Sequence, residues 1–293
     1  MVSSILRAVG DSKRPLYVLI ITCLLNILLD VVFVVIFHMG VLGVALATVS
    51  CQAVSAILVT WFLMRAEDIY RLEFHEIRFD LRSLGAVLRI GLPAGLESVM
   101  YNIANLTIQI FVNELGTDTV AAWGTMGKID AVFWMVCNAF AISITTFVGQ
   151  NYGAGKKERI RTGIREGVIL TILINIPLAL MLLCIPEFLT SFMLNDASII
   201  SYTRDFLAVT GICLFPLGWL FVFRNGCQGM GHTFVPMLSG VLEVSLRVVM
   251  VKLLTPYLAF RGVALAEVSA WIGAWIMLMI TYWIYQERTD SFR

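Results

Sequence analysis

Eight apolar runs, each close to the roughly 20 residues that a helix needs to cross a bilayer, leave this chain few ways to fold. They extend over residues 15–37, 41–64, 90–112, 119–148, 168–185, 206–223, 234–257 and 263–285. In lipid a backbone must satisfy its own polar groups, and a segment of this length does so as a helix. Composition agrees, with 59% hydrophobic and 14% charged residues, against roughly 25% charged in soluble domains. The expected fold class is an all-α polytopic membrane protein with eight transmembrane helices.

Charge then sets an orientation. If alternate connections lie on opposite sides, one side collects Arg7, Lys13, Arg14, Arg65, Arg71, Arg78, Arg82, Arg89, Lys156, Lys157, Arg159, Arg161, Arg165, Arg224, Arg288 and Arg293. The other side has Arg204, Lys252 and Arg261, with Glu114, Asp118, Glu187 and Asp196. The positive-inside rule places the first side, and both termini, in the cytoplasm of a cell in whose inner or plasma membrane the chain sits. The first fourteen residues are polar and carry three basic side chains, so they do not read as a cleaved leader. The connection over 65–89 alternates acids and bases and reads as an amphipathic cytoplasmic linker along the interface.

A net charge of +1 offers no basic excess for a nucleic-acid partner. The six cysteines form no CxxC pair, and His38, His75 and His232 are scattered among connections. No nucleophile elbow or metal-ligand spacing occurs, so the chain does not read as an enzyme and needs no cofactor. The glycine-rich stretch from Val148 to Lys156, VGQNYGAGK, lacks the glycine spacing and the Ser or Thr of a phosphate loop.

An internal repeat organises the runs. Gly43 to Ser50 reads GVALATVS and Gly262 to Ser269 reads GVALAEVS. Upstream, Arg7, Gly10 and Pro15 answer Arg224, Gly229 and Pro236 when a two-residue gap is allowed. If helices seven and eight repeat helices one and two, the unit is six helices long and re-enters the membrane in the same orientation. That is a parallel repeat, one of the arrangements of secondary transporters, with the substrate path between the halves. On this count four helices are expected ahead of Met1.

The stretches LRAVGDSKRP, NILLD, GVALATV, IGLPAGLES, ELGTDTVAAWGTMGKID and TTFVGQNYGAGKKERIR resemble the multidrug and toxic compound extrusion (MATE) family, in its DinF-like prokaryotic branch. The resemblance covers essentially the whole chain. It implies two six-helix lobes around a central cavity and export of amphiphilic, often cationic, small molecules in exchange for sodium or protons. Residues 1–64 would then supply the last two helices of the first lobe, 65–89 the linker, and 90–293 the whole second lobe. The first-helix acid of the family's cation site would belong to the missing four-helix segment.

Ionisable residues inside spans cost several kcal/mol unless they face a cavity or a partner, so each is a functional candidate. They are Asp30, Glu97, Lys128, Asp130, Glu243, Arg247 and Glu267. Asn26 and Asp30 lie one turn apart on one helix face, and Thr48 belongs to the repeat element. A carboxylate, an amide carbonyl and a hydroxyl make a hard-oxygen set for a proton or sodium, and the resemblance implies the same use, with Asp30 and Asn26 as sodium ligands. The bland alternative is a polar tie between two helices.

The remaining six make up an expected second-lobe polar cavity. Glu243 and Arg247, at i and i+4, are expected to neutralise one another. Lys128 and Asp130, two residues apart, cannot face each other and are expected to meet Glu97 or Glu243 across helices. Glu267 stands where the other repeat copy has Thr48. Trp123, Met126, Trp134, Met135 and Phe140 are candidates for an adaptable wall that takes flat organic cations, while Trp61 and Trp283 read as interfacial belt. Pro177, Pro186 and Pro216 mark bends. Two other readings stand beside the antiporter: a lipid-linked saccharide flippase of the same superfamily, which needs a strongly cationic cavity, and a truncated remnant that does not transport.

Overall fold

The computed structural model describes residues 2–66, 70–191 and 197–290. Asp196, Arg293 and residues 67–69 of the expected linker lie outside the described residues, as does the side chain of Arg288. Among the described residues the chain is helical without strands. The helices are α1 Val2–Ala8, α2 Lys13–Asp30, α3 Gly40–Met64, α4 Leu81–Glu114, α5 Thr117–Gly153, α6 Lys157–Cys184, α7 Pro186–Ser191, α8 Ala197–Ile212, α9 Leu214–Gly229, α10 Phe234–Leu258 and α11 Phe260–Asp290. A π-helical segment, Val31–Ile36, continues α2, and a short 3-10 turn covers Phe74–Glu76.

The chain divides into two compact units, Met1–Leu81 and Arg82–Arg293. In the first, Asp11 opens α2 by accepting the backbone N–H groups of Lys13 and Arg14, both at 3.1 Å, which satisfies donors that a helix start leaves free. Helices α2 and α3 form a hairpin, and Leu6, Val18, Val59 and Leu63 make a small core beneath it. Most other side chains of the hairpin are apolar and exposed, as lipid-facing positions require.

Of the described linker residues, Phe74–Glu76 form the 3-10 turn between extended Glu73 and Ile77, and those from Leu81 on already belong to α4. Tyr70 and Leu72 pack back on the small core. Arg82 and Arg89 are part of α4, and Lys157, Arg159, Arg161 and Arg165 fall in the opening turns of α6. The basic clusters read as loops therefore ride on helix ends.

In the second unit α4 to α11 enclose one continuous apolar core. Six of the described helices, counting α2 with its π extension, are long and apolar enough to cross a membrane, and α8 with α9 makes a seventh if that pair, bent by 52°, is one span. The expected eighth, α4, falls short because it carries Arg82, Arg89 and Glu97 together with Asn102, Asn105, Gln109 and Asn113. Pro216 accounts for the bend: in the first turn of α9 it offers no N–H to continue α8. Pro177 lies inside α6 and Pro186 opens α7.

Both repeat copies do the same packing job. A Cβ on Gly43 would stand 3.0 Å from the Cβ of Phe33, and a Cβ on Gly262 would stand 2.7 Å from backbone atoms of Leu254. One turn on, Ala47 and Ala266 are both fully buried. Glycine and alanine at i and i+4 form the small-residue seam along which α3 closes on the helix before it, and α11 on α10. The VGQNYGAGK stretch ends α5 and turns into α6, with Lys156 N–H bonded to the Asn151 carbonyl at 2.8 Å.

Candidate functional site

Each unit holds polar groups singled out from the sequence. In the first, α2 gives way to the π-helical segment immediately after Asp30. The change of winding leaves Asn26 and Asp30 one turn apart at the junction, and π segments recur at functional sites. Asn26 Nδ2 and Asp30 Oδ1 are buried from solvent and have no hydrogen-bond partner among the described residues. Thr48 is exposed and donates its hydroxyl to the Val44 carbonyl at 2.9 Å, so its oxygen keeps free lone pairs.

In the second unit the expected charges are joined into a chain by one that sequence reasoning misplaced. Arg224, read as a cytoplasmic loop residue, lies inside α9 and is buried. Its Nε meets Glu97 Oε1 of α4 at 3.1 Å and its Nη2 meets Glu243 Oε2 of α10 at 2.9 Å. The other oxygen of Glu243 takes Arg247 Nη2 at 2.9 Å, the i, i+4 pair expected from spacing. Arg247, with no accessible surface, turns Nη1 toward Asn105 Oδ1 at 3.0 Å and Glu267 Oε1 of α11 at 3.5 Å. Gln228 and Ser239 complete the set, donating to Glu97 at 2.9 Å and accepting from Arg224 at 3.4 Å.

The order along this chain is Glu97, Arg224, Glu243, Arg247, Glu267, with alternating signs. In a low-dielectric interior a lone charge is very costly, and alternation with bonded partners is what makes burial tolerable. Glu267 ends the chain, and its Oε2 is buried without a hydrogen-bond partner among the described residues.

Beside that end lies a cavity of about 510 Å³. Asp130 and Glu267 line it, with Tyr101, Trp123 and Trp134 as aromatic wall. Tyr101 stands edge-on to Trp134 at 4.9 Å and lies 5.7 Å from the Arg247 guanidinium. Lys128 does not join. It is exposed and makes no ion pair among the described residues, because a separation of two puts it on nearly the opposite side of α5 from Asp130. Met126 is also displaced from the expected wall into the core, with no accessible surface, and Met135 is exposed.

Arg224 was missed because a charge ends an apolar run on paper, whereas α9 continues to Gly229. The available signal was the Arg224 to Gln228 spacing of four ahead of a Gly-Met-Gly turn. Outside the spans, His232 stacks on Tyr285 at 4.3 Å, and burial, then the nearby Arg89 charge, hold its pKa below the usual histidine value.

A long-helix fold with buried charges in apolar surroundings defines a multi-pass membrane protein. The MatE family model matches residues 93–253, more than half of the chain, and the chain belongs to that family of multidrug and toxic compound extrusion proteins. It is 26% identical over 277 residues to the probable multidrug resistance protein NorM of Thermotoga maritima, covering 92% of this chain and 58% of that protein. It is 24% identical to the multidrug export protein MepA of Staphylococcus saprophyticus, covering 83% of this chain and 55% of MepA. A FAD transporter of Shewanella oneidensis is 22% identical over 82% of this chain and 53% of its own length. The chain thus spans little more than half the length of these curated relatives. In fold it is similar to the Vibrio cholerae MATE transporter VcmN, with a TM-score of 0.90 at 20% identity over 99% of this chain and 65% of that one.

Proposed function

We propose that the chain supplies the last two helices of a first lobe and a whole second lobe of a secondary antiporter. The antiporter exports amphiphilic or cationic compounds in exchange for sodium or protons. Asp30, Asn26 and Thr48 bind the coupling ion, and the buried polar groups of the second unit serve the cargo. Family membership supports the transport class, and relatives with multidrug resistance or export in their names support the kind of cargo. One observation carries the ion site: Asp30 ends α2 at a change of helix type with one carboxylate oxygen buried and unbonded. A carboxylate in that setting needs a proton or a cation to offset its charge. Exchange follows if ion binding there favours one access state over the other. Helix α4 is the eighth span, with Asn102, Asn105 and Gln109 on the cavity, and both termini are cytoplasmic.

The saccharide flippase reading is less well supported, since both buried guanidiniums are already bound by carboxylates and leave none for a pyrophosphate.

The test is ethidium export from vesicles containing the whole antiporter, this chain together with the helices that complete its first lobe, under an imposed sodium or proton gradient. Export is expected to follow one of the gradients and to fall at least about tenfold in Asp30→Asn, which matches loss of about 1.4 kcal/mol of coupling. Gradient-driven export that ignores Asp30→Asn would remove Asp30 from the mechanism.

A further inference from the structure

Helix α6 is charged at one end only. Residues 156–166 hold Lys156, Lys157, Arg159, Arg161 and Arg165 against Glu158 and Glu166, all of them exposed, and from Gly167 to Cys184 the helix carries no charge. The cluster repels itself. Lys157, Arg161 and Arg165 follow one another at i, i+4 and i+8, where like charges destabilise a helix, and the first turn of α6 is the positive end of its dipole. Glu158 stands three positions before Arg161, yet Arg159, Arg161 and Arg165 make no ion pair among the described residues. Glu166 has no cation three or four positions away.

Length and burial say what this end meets. With 28 residues, α6 is about 42 Å long at 1.5 Å per residue, against about 30 Å of hydrocarbon in a bilayer. With the uncharged part in hydrocarbon, the first two turns stand at headgroup depth, and Arg165, a turn further in, reaches that layer by its long stem. Tyr152, exposed at the adjoining end of α5, is a residue suited to the same layer. Every fourth residue forms one ridge on a helix, and the ridge of Lys157, Arg161 and Arg165 runs on into Ile169 and Leu173, both exposed. Ile160, Ile164, Thr171 and Asn175 are buried in the unit instead. The cations therefore continue a row of exposed apolar side chains of a membrane span.

We infer that Lys157, Arg161 and Arg165 form a docking ridge for anionic phospholipids, the lipid phosphate lying on the cations and an acyl chain along Ile169 and Leu173. Net negative charge on the headgroup is what relieves the repulsion within the ridge, so a zwitterionic lipid is a poorer occupant. The apolar continuation of the ridge selects a lipid over a free phosphate ion, which has nothing to lay on Ile169 and Leu173. This partner is neither cargo nor coupling ion, and the inference does not rest on the antiporter reading.

The test is native mass spectrometry of the purified full chain in detergent, titrated with phosphatidylglycerol or with phosphatidylethanolamine. Phosphatidylglycerol is expected to bind at least about tenfold more tightly. Arg161→Gln combined with Arg165→Gln is expected to weaken phosphatidylglycerol at least about tenfold and to leave phosphatidylethanolamine unchanged, while Arg161→Lys with Arg165→Lys stays within about threefold of the unsubstituted chain. Lys252→Gln, which removes an exposed cation toward the far end of α10, is expected to change neither lipid. Equal binding of the two lipids overturns the ridge, as does a preference that survives the double Gln variant. So does an equal loss in Lys252→Gln, which makes net charge the cause, or in the double Lys variant. Displacement of phosphatidylglycerol by inorganic phosphate at the same concentration makes the site one for a free anion and overturns the lipid. In lipid-free detergent the double Gln variant is expected to unfold no earlier than the unsubstituted chain; earlier unfolding means that the ridge is held by protein, and also overturns the inference.

Discussion

Arg247 shows what one residue can hold in an apolar interior. It has no accessible surface, and it bonds to a carboxylate one turn away on α10, to an amide on α4 and, more loosely, to a carboxylate on α11. Its spacing from Glu243 revealed the first of these bonds, because i and i+4 share a face. The other two were not legible, since nothing in the order of residues says which side of α4 or α11 turns toward α10. Replacing Arg247 by Met removes the charge, leaves Glu267 without its cation and leaves Glu243 with Arg224 alone. A cost of about 3–5 kcal/mol is expected, seen as a large drop in thermal unfolding temperature in detergent. Lys128→Ala, at an exposed position without an ion pair, is expected to change stability by less than about 0.5 kcal/mol. Equal effects at the two positions would mean that the chain of charges does not hold the unit together.

The two repeat hairpins carry the argument at the scale of elements. GVALATVS and GVALAEVS were found as a string match, and the structure gives the reason for the string: a glycine at the close approach and a buried alanine one turn on. The copies differ in what faces the glycine. At Gly262 the near neighbours are backbone atoms of Leu254 and Thr255, all within 2.8 Å of an added Cβ, while at Gly43 the nearest atom is the Cβ of Phe33 at 3.0 Å. Neither set of atoms can swing aside, but those at Gly262 stand a few tenths of an ångström closer, so Gly262→Ala is expected to destabilise more than Gly43→Ala, by at least about 1 kcal/mol in detergent unfolding. The reverse order would show that the seams are not what fixes the hairpins. The π-helical turn after Asp30 was invisible beforehand: the run Val31 to Ile36 is apolar throughout, and hydrophobic patterning does not distinguish i to i+4 from i to i+5 bonding.

At the scale of the molecule, orientation follows from positive charge. If the positive-inside reading holds, a single cysteine at Lys157 in a cysteine-free background is labelled by a membrane-impermeant maleimide only from the cytoplasmic face. One at Glu187 is labelled only from outside. The opposite pattern inverts the topology, and labelling of both from one side breaks the alternation of spans. The sequence alone determined the class, most of the spans, the repeated string of the two hairpins and the Glu243–Arg247 pair. All of these depend on local spacing or on lipid refusing an unbonded backbone, and both can be read along the chain. Tertiary structure decided which distant charges meet, as with Gln228 and Glu97 or Arg247 and Asn105, 131 and 142 positions apart. It also buried Arg224, set Lys128 outside and left Glu267 Oε2 buried without a hydrogen-bond partner among the described residues. These outcomes hang on the rotation of each helix about its axis, which the packing of the whole unit settles and which no single helix encodes.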